Sequence, residues 1–488
     1  MRDMRRSAMM IAAVAAAACF AVLGGTGGAL AAGTHVAVGT QAAASGGTWG
    51  TAEEVPGTAA LGGGGPLNSV SCATAGNCSA VGIYANELDY EESFVADEVN
   101  GTWQNAEQVP GASALSPVMQ ITSVSCATAG NCSAGGHSRT AFVVNEVNGT
   151  WQDATNVPGI AKLGIDAQVV SVSCGAAGDC SAGGYYYVNS ASSTTEQAFI
   201  ANEWNGKWYA AQEVPGTAAL NTGGGASTLS ISCASAGNCS AGGQYQVSRG
   251  FEAFVANEVD GKWHDAIEVP GTATLNHDTA ETASVSCASA GNCSAGGYYD
   301  DSTAHQQAFV ADEVNGTWRK AIEVPGTPTL NHGLNGAGGK AAINSVSCGT
   351  AGNCSAGGSY TNSHGAVEAL VANEVNGTWQ RAIEVPGSGA LNKGANSSSM
   401  GAAVVSVSCT TAGNCSAGGS YNSSSDEQPF VADEVNGTWQ TAIHVTGIEN
   451  GYAQTASVSC GAAGNCSAGG WYDDADGNVQ AFIVNETS

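Results

Sequence analysis

SVSCATAGNCSAVG, residues 69–82, sets two cysteines six positions apart around a small Ala-Gly-Asn loop. Near-copies of it recur seven more times. The resulting pairs are Cys72/Cys78, Cys126/Cys132, Cys174/Cys180, Cys233/Cys239, Cys287/Cys293, Cys348/Cys354, Cys409/Cys415 and Cys460/Cys466. Successive first cysteines lie 54, 48, 59, 54, 61, 61 and 51 residues apart. Self-similarity at about this period indicates propeller blades better than short solenoid turns.

Each unit reads as four strands. SVSC is a short β-branched run that ends at the loop, and CSAGGYY opens the second strand. After a variable stretch, AFVANEV gives the third. The dipeptide Asn-Gly then turns the chain into TWxxAxEVPG, the fourth, because both central residues of a tight hairpin turn must accept positive φ. Pro-Gly ends the unit. Four antiparallel strands per unit make a propeller blade.

The two ends of the repeat array are complementary. GGTWGTAEEVPG, residues 46–57, is a fourth strand alone, whereas the last unit, from Ser457, has three strands and lacks the tryptophan strand. Joining them closes a ring and removes exposed edges. The expectation is an all-β fold, a single eight-bladed β-propeller over 46–488 with seven contiguous blades and one split between the termini. Each cysteine pair sits where the first strand hands over to the second, so a disulfide would staple each hairpin. Zinc has no standard ligand spacing here, and disulfides imply an oxidising compartment.

The N-terminus reads as a targeting segment. Arg2, Arg5 and Arg6 precede an apolar run to Leu23, and Ala29-x-Ala31 offers a cleavage site, giving a signal peptide over 1–31 and a short linker over 32–45. Cys19 lacks the flanking leucine of a lipoprotein site, and Arg5-Arg6 is a weak match to twin-arginine export. No other run approaches the ~20 apolar residues of a membrane helix. The expected product is secreted, extracellular, monomeric and without a membrane span.

Net charge is −28, and only ten Lys and Arg follow residue 31. Such a body argues against nucleic acid or an anionic membrane as partner. No cofactor is expected, because neither a phosphate loop nor a metal cluster nor a nucleophile motif occurs.

CSAGGYY, AFVANEVNGTW and EVPG together resemble the kelch-type blade and secreted bacterial propellers with SCxxxxxC hairpins. The resemblance covers the whole mature chain and implies the propeller fold, with no particular activity. ADEVNGTW also resembles the Asp-box of sialidases, but its glycine lies four residues after the Asp instead of two, and that family's site needs three clustered arginines. Arg319 and Arg381 fall on predicted outer strands instead.

Function should sit where the repeats differ. The Cys loop and the Asn-Gly turn are nearly constant and share one face, while the loops on the other face vary in length and sequence, the usual mark of a binding face. Two residues past Gly-Gly stands Tyr84, Tyr186, Tyr245, Tyr299, Tyr360, Tyr421 or Tyr472, a regularity that indicates packing. The residue between alternates to the other side and varies, so Tyr185, Tyr298 and Trp471 are candidates to stack on a sugar or peptide. His277 and Asp278, with His332, form the one asymmetric His/acid group. The recurring Asp/Asn-Glu pairs, such as Asp97-Glu98, look catalytic singly, but eightfold repetition indicates structure. A glycan- or protein-binding module is the leading expectation. A polysaccharide hydrolase or lyase at the channel mouth, or a structural cell-surface protein, are the alternatives.

Overall fold

The computed structural model describes residues 46–488 apart from 89, 190–193, 335–337, 395–400, 425 and 449–450. The expected signal peptide over 1–31 and linker over 32–45 therefore lie outside the described residues. Those residues form eight antiparallel sheets. Blade 1 runs from Leu67–Thr74 through Asn77–Ala85 and Glu91–Val99 to the outer pieces Thr102–Trp103 and Glu107–Gln108. Blade 8 combines Ala453–Ala462, Asn465–Asp473 and Val479–Thr487 with Thr48–Trp49 and Glu53–Glu54 from the other end of the chain. Trp49 pairs with Glu486, and Glu54 with Phe482. The ring closes as the complementary ends require.

Local chemistry makes each blade. The Asn-Gly turns carry positive φ at both positions, as at Asn100 (51°) and Gly101 (79°). The third strands contribute a column of fully buried side chains, Phe94, Phe142, Phe199, Phe254, Phe309, Leu370, Phe430 and Phe482, between neighbouring blades. Against this column the second strand must come close. A Cβ on Gly184 would stand 1.8 Å from the Gln168 carbonyl oxygen, and one on Gly183 would stand 2.6 Å from Ile231 of blade 4. The tyrosine that follows is buried in six blades. Its hydroxyl bonds within its own blade, donating from Tyr84 to the Glu92 carboxylate on the third strand (2.6 Å) and from Tyr360 to the Glu384 carboxylate on the outer strand (3.1 Å).

The motif SVSC is a joint between blades. Innermost strands pair on one side only, so alternate N–H groups face a neighbouring blade with no ladder partner, which is costly when buried. The two serines supply that partner. Ser69 and Ser71 accept from the N–H groups of Val124 and Cys126, and Ser457 and Ser459 from Val70 and Cys72. Every junction repeats the arrangement at 2.9–3.3 Å.

All eight expected disulfides form, among them Cys72–Cys78, Cys126–Cys132, Cys174–Cys180 and Cys348–Cys354, with Cα atoms 3.9–4.0 Å apart. So short a loop gives each about 2 kcal/mol on chain-entropy arithmetic. Replacing Cys409 and Cys415 together by alanine is expected to cost about that much in chemical denaturation. An unchanged midpoint would show that the staple is redundant with the hairpin.

Two details refine the four-stranded blade. The fourth strand is not continuous, because three residues oppose two on the third strand between Trp103↔Glu98 and Glu107↔Val95. Ala106 within this bulge donates its N–H to Pro56 of the preceding blade (2.6 Å). A bulged, two-piece outer strand also makes a poor template for pairing with other chains. Secondly, Pro-Gly does not simply end the unit. Gly57 (φ 86°) and its equivalents start a one-turn helix, such as Thr58–Leu61, that leads to the next blade.

Candidate functional site: the variable face and the channel mouth

The constant face is held by a second joint. Each outer tryptophan donates its indole N–H to the Asp or Asn that ends the third strand of the preceding blade, at 2.8–3.3 Å. Trp49 does so to Asp433 and Trp103 to Asn485, so the closing seams match the rest. The following Glu, buried in every blade, turns the opposite way and meets the preceding blade. Asn145, Asn202, Asn257, Asn373 and Asn485 each donate their side-chain amide to Glu203, Glu258, Glu313, Glu434 and Glu98. The recurring acid pairs are thus structural. Eight of the ten tryptophans are used in this way; Trp204 and Trp471 are not.

The backbone places the variable loops on the opposite face. The Asn-Gly turn is bonded to the Cys-hairpin loop (Gly101 N–H to Gly76 O, 2.8 Å), whereas the one-turn helices and the loops between second and third strands gather at the other end of the blades. Clefts lined by seam residues also open on the constant face, one between blades 4 and 5 beside Glu258 and Glu313, one between blades 7 and 8 beside Asp433 and Glu486.

Some of the eight bridges also border these clefts. Cys239, Cys287 and Cys293 line the first of these clefts, and Cys415, Cys460 and Cys466 the second. Cys78, Cys132, Cys180 and Cys354 line neither cleft. Each is buried at a seam, its sulfur against a serine hydroxyl of the preceding blade: Ser467 (3.5 Å), Ser79 (3.3 Å), Ser133 (3.2 Å) and Ser294 (3.3 Å) respectively. The same contact recurs at Cys239, Cys293, Cys415 and Cys466, so the second cysteine of every bridge both staples its hairpin and fills a seam.

Tyr185, Tyr298 and Trp471 hold equivalent places on the second strands of blades 3, 5 and 8, toward the variable face, and no two lie on adjacent blades. Each faces an inner-strand residue six positions before the first cysteine: Gln168, Glu281 and Gln454 respectively. Tyr185 donates its hydroxyl to Gln168 Oε1 (2.9 Å), and the rings of Tyr185 and Tyr187 meet edge-on at 5.7 Å. Glu281 bonds the Tyr298 hydroxyl, and burial pushes its carboxyl up to about 7. Burial, then Glu281 and Asp300, push the Tyr298 phenol well above its ordinary range. Beside Trp471, Gln454 donates to Glu427 of blade 7 (2.7 Å), which also accepts from Ser420 (2.6 Å). Burial raises Glu196 too, which Tyr187 and Ser227 bond.

The inner-strand partners were missed at the sequence level, although the column six before each first cysteine reads Pro66, Gln120, Gln168, Ser227, Glu281, Ala342, Ala403, Gln454 and could have shown them. His277 and His332 are exposed and hold equivalent places, each just after a one-turn helix, in consecutive interblade connections. Asp278 is exposed beside His277, next to Gly250. Among the described residues no group of three or more His, Cys, Asp or Glu is placed to hold a metal.

No protein-family model matches the chain, and no curated protein matches it. Solved structures do. Sqt1 from Chaetomium thermophilum is similar over 90% of this chain and 100% of its own, with TM-score 0.50 and 10% identity. YCF48 from Cyanidioschyzon merolae aligns over 75% and 96%, with TM-score 0.40 and 12% identity. A subtype N10 neuraminidase-like protein of A/little yellow-shouldered bat/Guatemala/060/2010 aligns over 64% and 92%, with TM-score 0.34 and 12% identity. At such identity the likeness to Sqt1 is one of fold alone. The chain is an eight-bladed β-propeller with a disulfide in each first hairpin.

Proposed function

We propose that the protein is an exported, kelch-like binding module for an uncharged glycan, held across the variable-face mouth. The supporting observation is the pairing of an aromatic ring with an amide or carboxyl at one level of the ring: Tyr185 with Gln168, Tyr298 with Glu281, Trp471 with Gln454. Rings stack on the apolar faces of sugars, while amides and carboxyls bond their hydroxyls. Trp471 is half-buried and stands outside the tryptophan joint that accounts for eight of the ten tryptophans. Carboxyls of Glu196, Glu281 and Glu427 at this level disfavour an anionic polysaccharide. Export is supported by the N-terminal signature and by eight disulfides, which persist in oxidising surroundings.

The test is a glycan array probed with the oxidised protein. Binding to one neutral sugar class is expected, with Trp471→Ala weakening it about tenfold, or about 1.4 kcal/mol. Tyr298→Ala and Tyr185→Ala should weaken it less, since both hydroxyls are tied within their blades. A blank array on neutral glycans overturns the reading and leaves a protein segment as the ligand to seek.

A further inference from the structure

Eight seams share one hydrogen-bond pattern on the constant face, but three of them carry an acid where the other five carry an amide. At the seams between blades 1 and 2, 5 and 6, and 7 and 8, Asp97, Asp312 and Asp433 stand where asparagine stands elsewhere. They are set against the buried Glu146, Glu374 and Glu486. In the amide seams the asparagine nitrogen donates to the glutamate. An aspartate puts an oxygen in that place, so two carboxyl groups oppose each other with no donor of their own.

We propose that each of these three seams holds one shared proton between its two carboxyl groups, making the propeller acid-stabilised and its closing seam pH-sensitive. The tryptophan and serine donors are already committed and do not replace the proton. Asp97 accepts from Trp151 (3.1 Å), while the Ser79 hydroxyl reaches Glu146 (3.4 Å). Asp312 accepts from Trp379 (3.0 Å) and Ser294 (2.8 Å), and Asp433 from Trp49 (3.0 Å) and Ser416 (2.7 Å). Glu486 also accepts the Gly47 N–H (2.7 Å), so the 7/8 seam ties down the strand that closes the ring. Arg319 faces the 5/6 pair and partly offsets it. One oxygen each of Glu374 and Glu486 is buried with no hydrogen-bond partner among the described residues, as is one each of Glu98, Glu258 and Glu313 in the amide seams.

Burial first, then the facing aspartate, pushes Glu146, Glu374 and Glu486 up to about 7. A folded-state value above the unfolded one gives stability that is complete below the unfolded range and is lost as pH rises through the folded value. The loss therefore runs from about pH 4.5 to about pH 7 and is then complete. Glu203 and Glu258, raised to about 7 mainly by burial in amide seams, give a background slope in the same direction.

The test compares the full chain with the triple variant Asp97→Asn, Asp312→Asn, Asp433→Asn. Five seams already fold with asparagine, so the variant keeps a native joint at every seam. Melting temperature is followed from pH 4 to pH 9, with and without EDTA and with added calcium. The wild-type protein is expected to lose more melting temperature than the variant as pH rises to 7, with as many as three extra protons taken up on folding near pH 6. An infrared band of protonated carboxyl groups should persist near neutral pH and weaken in the variant. Equal pH profiles and equal bands overturn the proposal. So does calcium that raises the wild-type melting temperature at pH 8 but not the variant's, since a cation would then occupy the place given to the proton.

Discussion

Deleting residues 46–54 is expected to unfold the propeller at temperatures at least 10 °C lower, by far the largest effect of removing so short a segment. The segment contributes the outer pieces of blade 8 and, through them, both sides of the closing seam. Its loss strips Trp49 from Asp433 and the Gly47 N–H from Glu486, leaving two buried carboxyls each short of a donor. Leaving a buried polar group unsatisfied costs roughly 1–3 kcal/mol. It also uncovers Val484 and Phe482, and removes buried Ala52. Uncovered ladder groups of Val479–Thr487 become an open sheet edge, so the truncated protein should associate as well as melt early. Trp49→Ala alone should cost about 3 kcal/mol, in the lower part of the range for large aromatic truncations, because Trp49 is only half-buried. Trp103→Ala, at the neighbouring seam, should cost more, about 4 kcal/mol, because Trp103 is buried. If the deletion melted no lower than Trp49→Ala, closure would rest on that one indole and not on the strand.

Why the sequence reveals so much of this fold follows from what repeats. The Cys pairs, the Asn-Gly turns and the complementary end fragments are local signals, and each sets a local geometry: a staple, a positive-φ turn, a missing strand. What stayed hidden depends on the neighbouring blade. The bulge that splits the fourth strand is fixed by Ala106 reaching Pro56 of another blade, and no pattern within one repeat encodes it. The same holds for the sulfurs: a Cys pair announces its own bridge, but not that Cys132 rests on Ser79 of blade 1. Asp97-Glu98 looks like an acid pair in sequence, but adjacent strand residues point to opposite sides of a sheet. Asp97 meets Trp151 and Glu146 of blade 2, whereas Glu98 meets Asn485 of blade 8. The chemically paired acids are therefore about fifty residues apart, which only the ring reveals. The candidate ligand site was half legible. Repetition made the departures at Tyr185, Tyr298 and Trp471 visible, but their amide and carboxyl partners lie on another strand, across a bulge that shifts the register by one residue.

Replacing Ser171 and Ser173 together by alanine is expected to cost about 2–6 kcal/mol, the penalty for leaving two buried N–H groups without acceptors. Both serines are fully buried in blade 3, yet the groups they satisfy, the N–H of Ile231 and Cys233, belong to blade 4. The damage should therefore appear on the far side of the substitution. Hydrogen exchange of Ile231 and Cys233 is expected to accelerate strongly. Val172 and Cys174, beside the mutated residues in sequence, are held by Ser123 and Ser125 of blade 2 and should stay protected. Packing loss alone predicts the reverse order, with the mutated strand exchanging first, because a removed hydroxyl leaves its cavity there. Faster exchange confined to blade 3 would mean that the serines only fill space. Faster exchange in blade 4 would mean that each inner strand is completed by its predecessor. Ser-x-Ser-Cys would then be the unit that turns eight separate sheets into one ring, and its eightfold recurrence would need no active site to account for it.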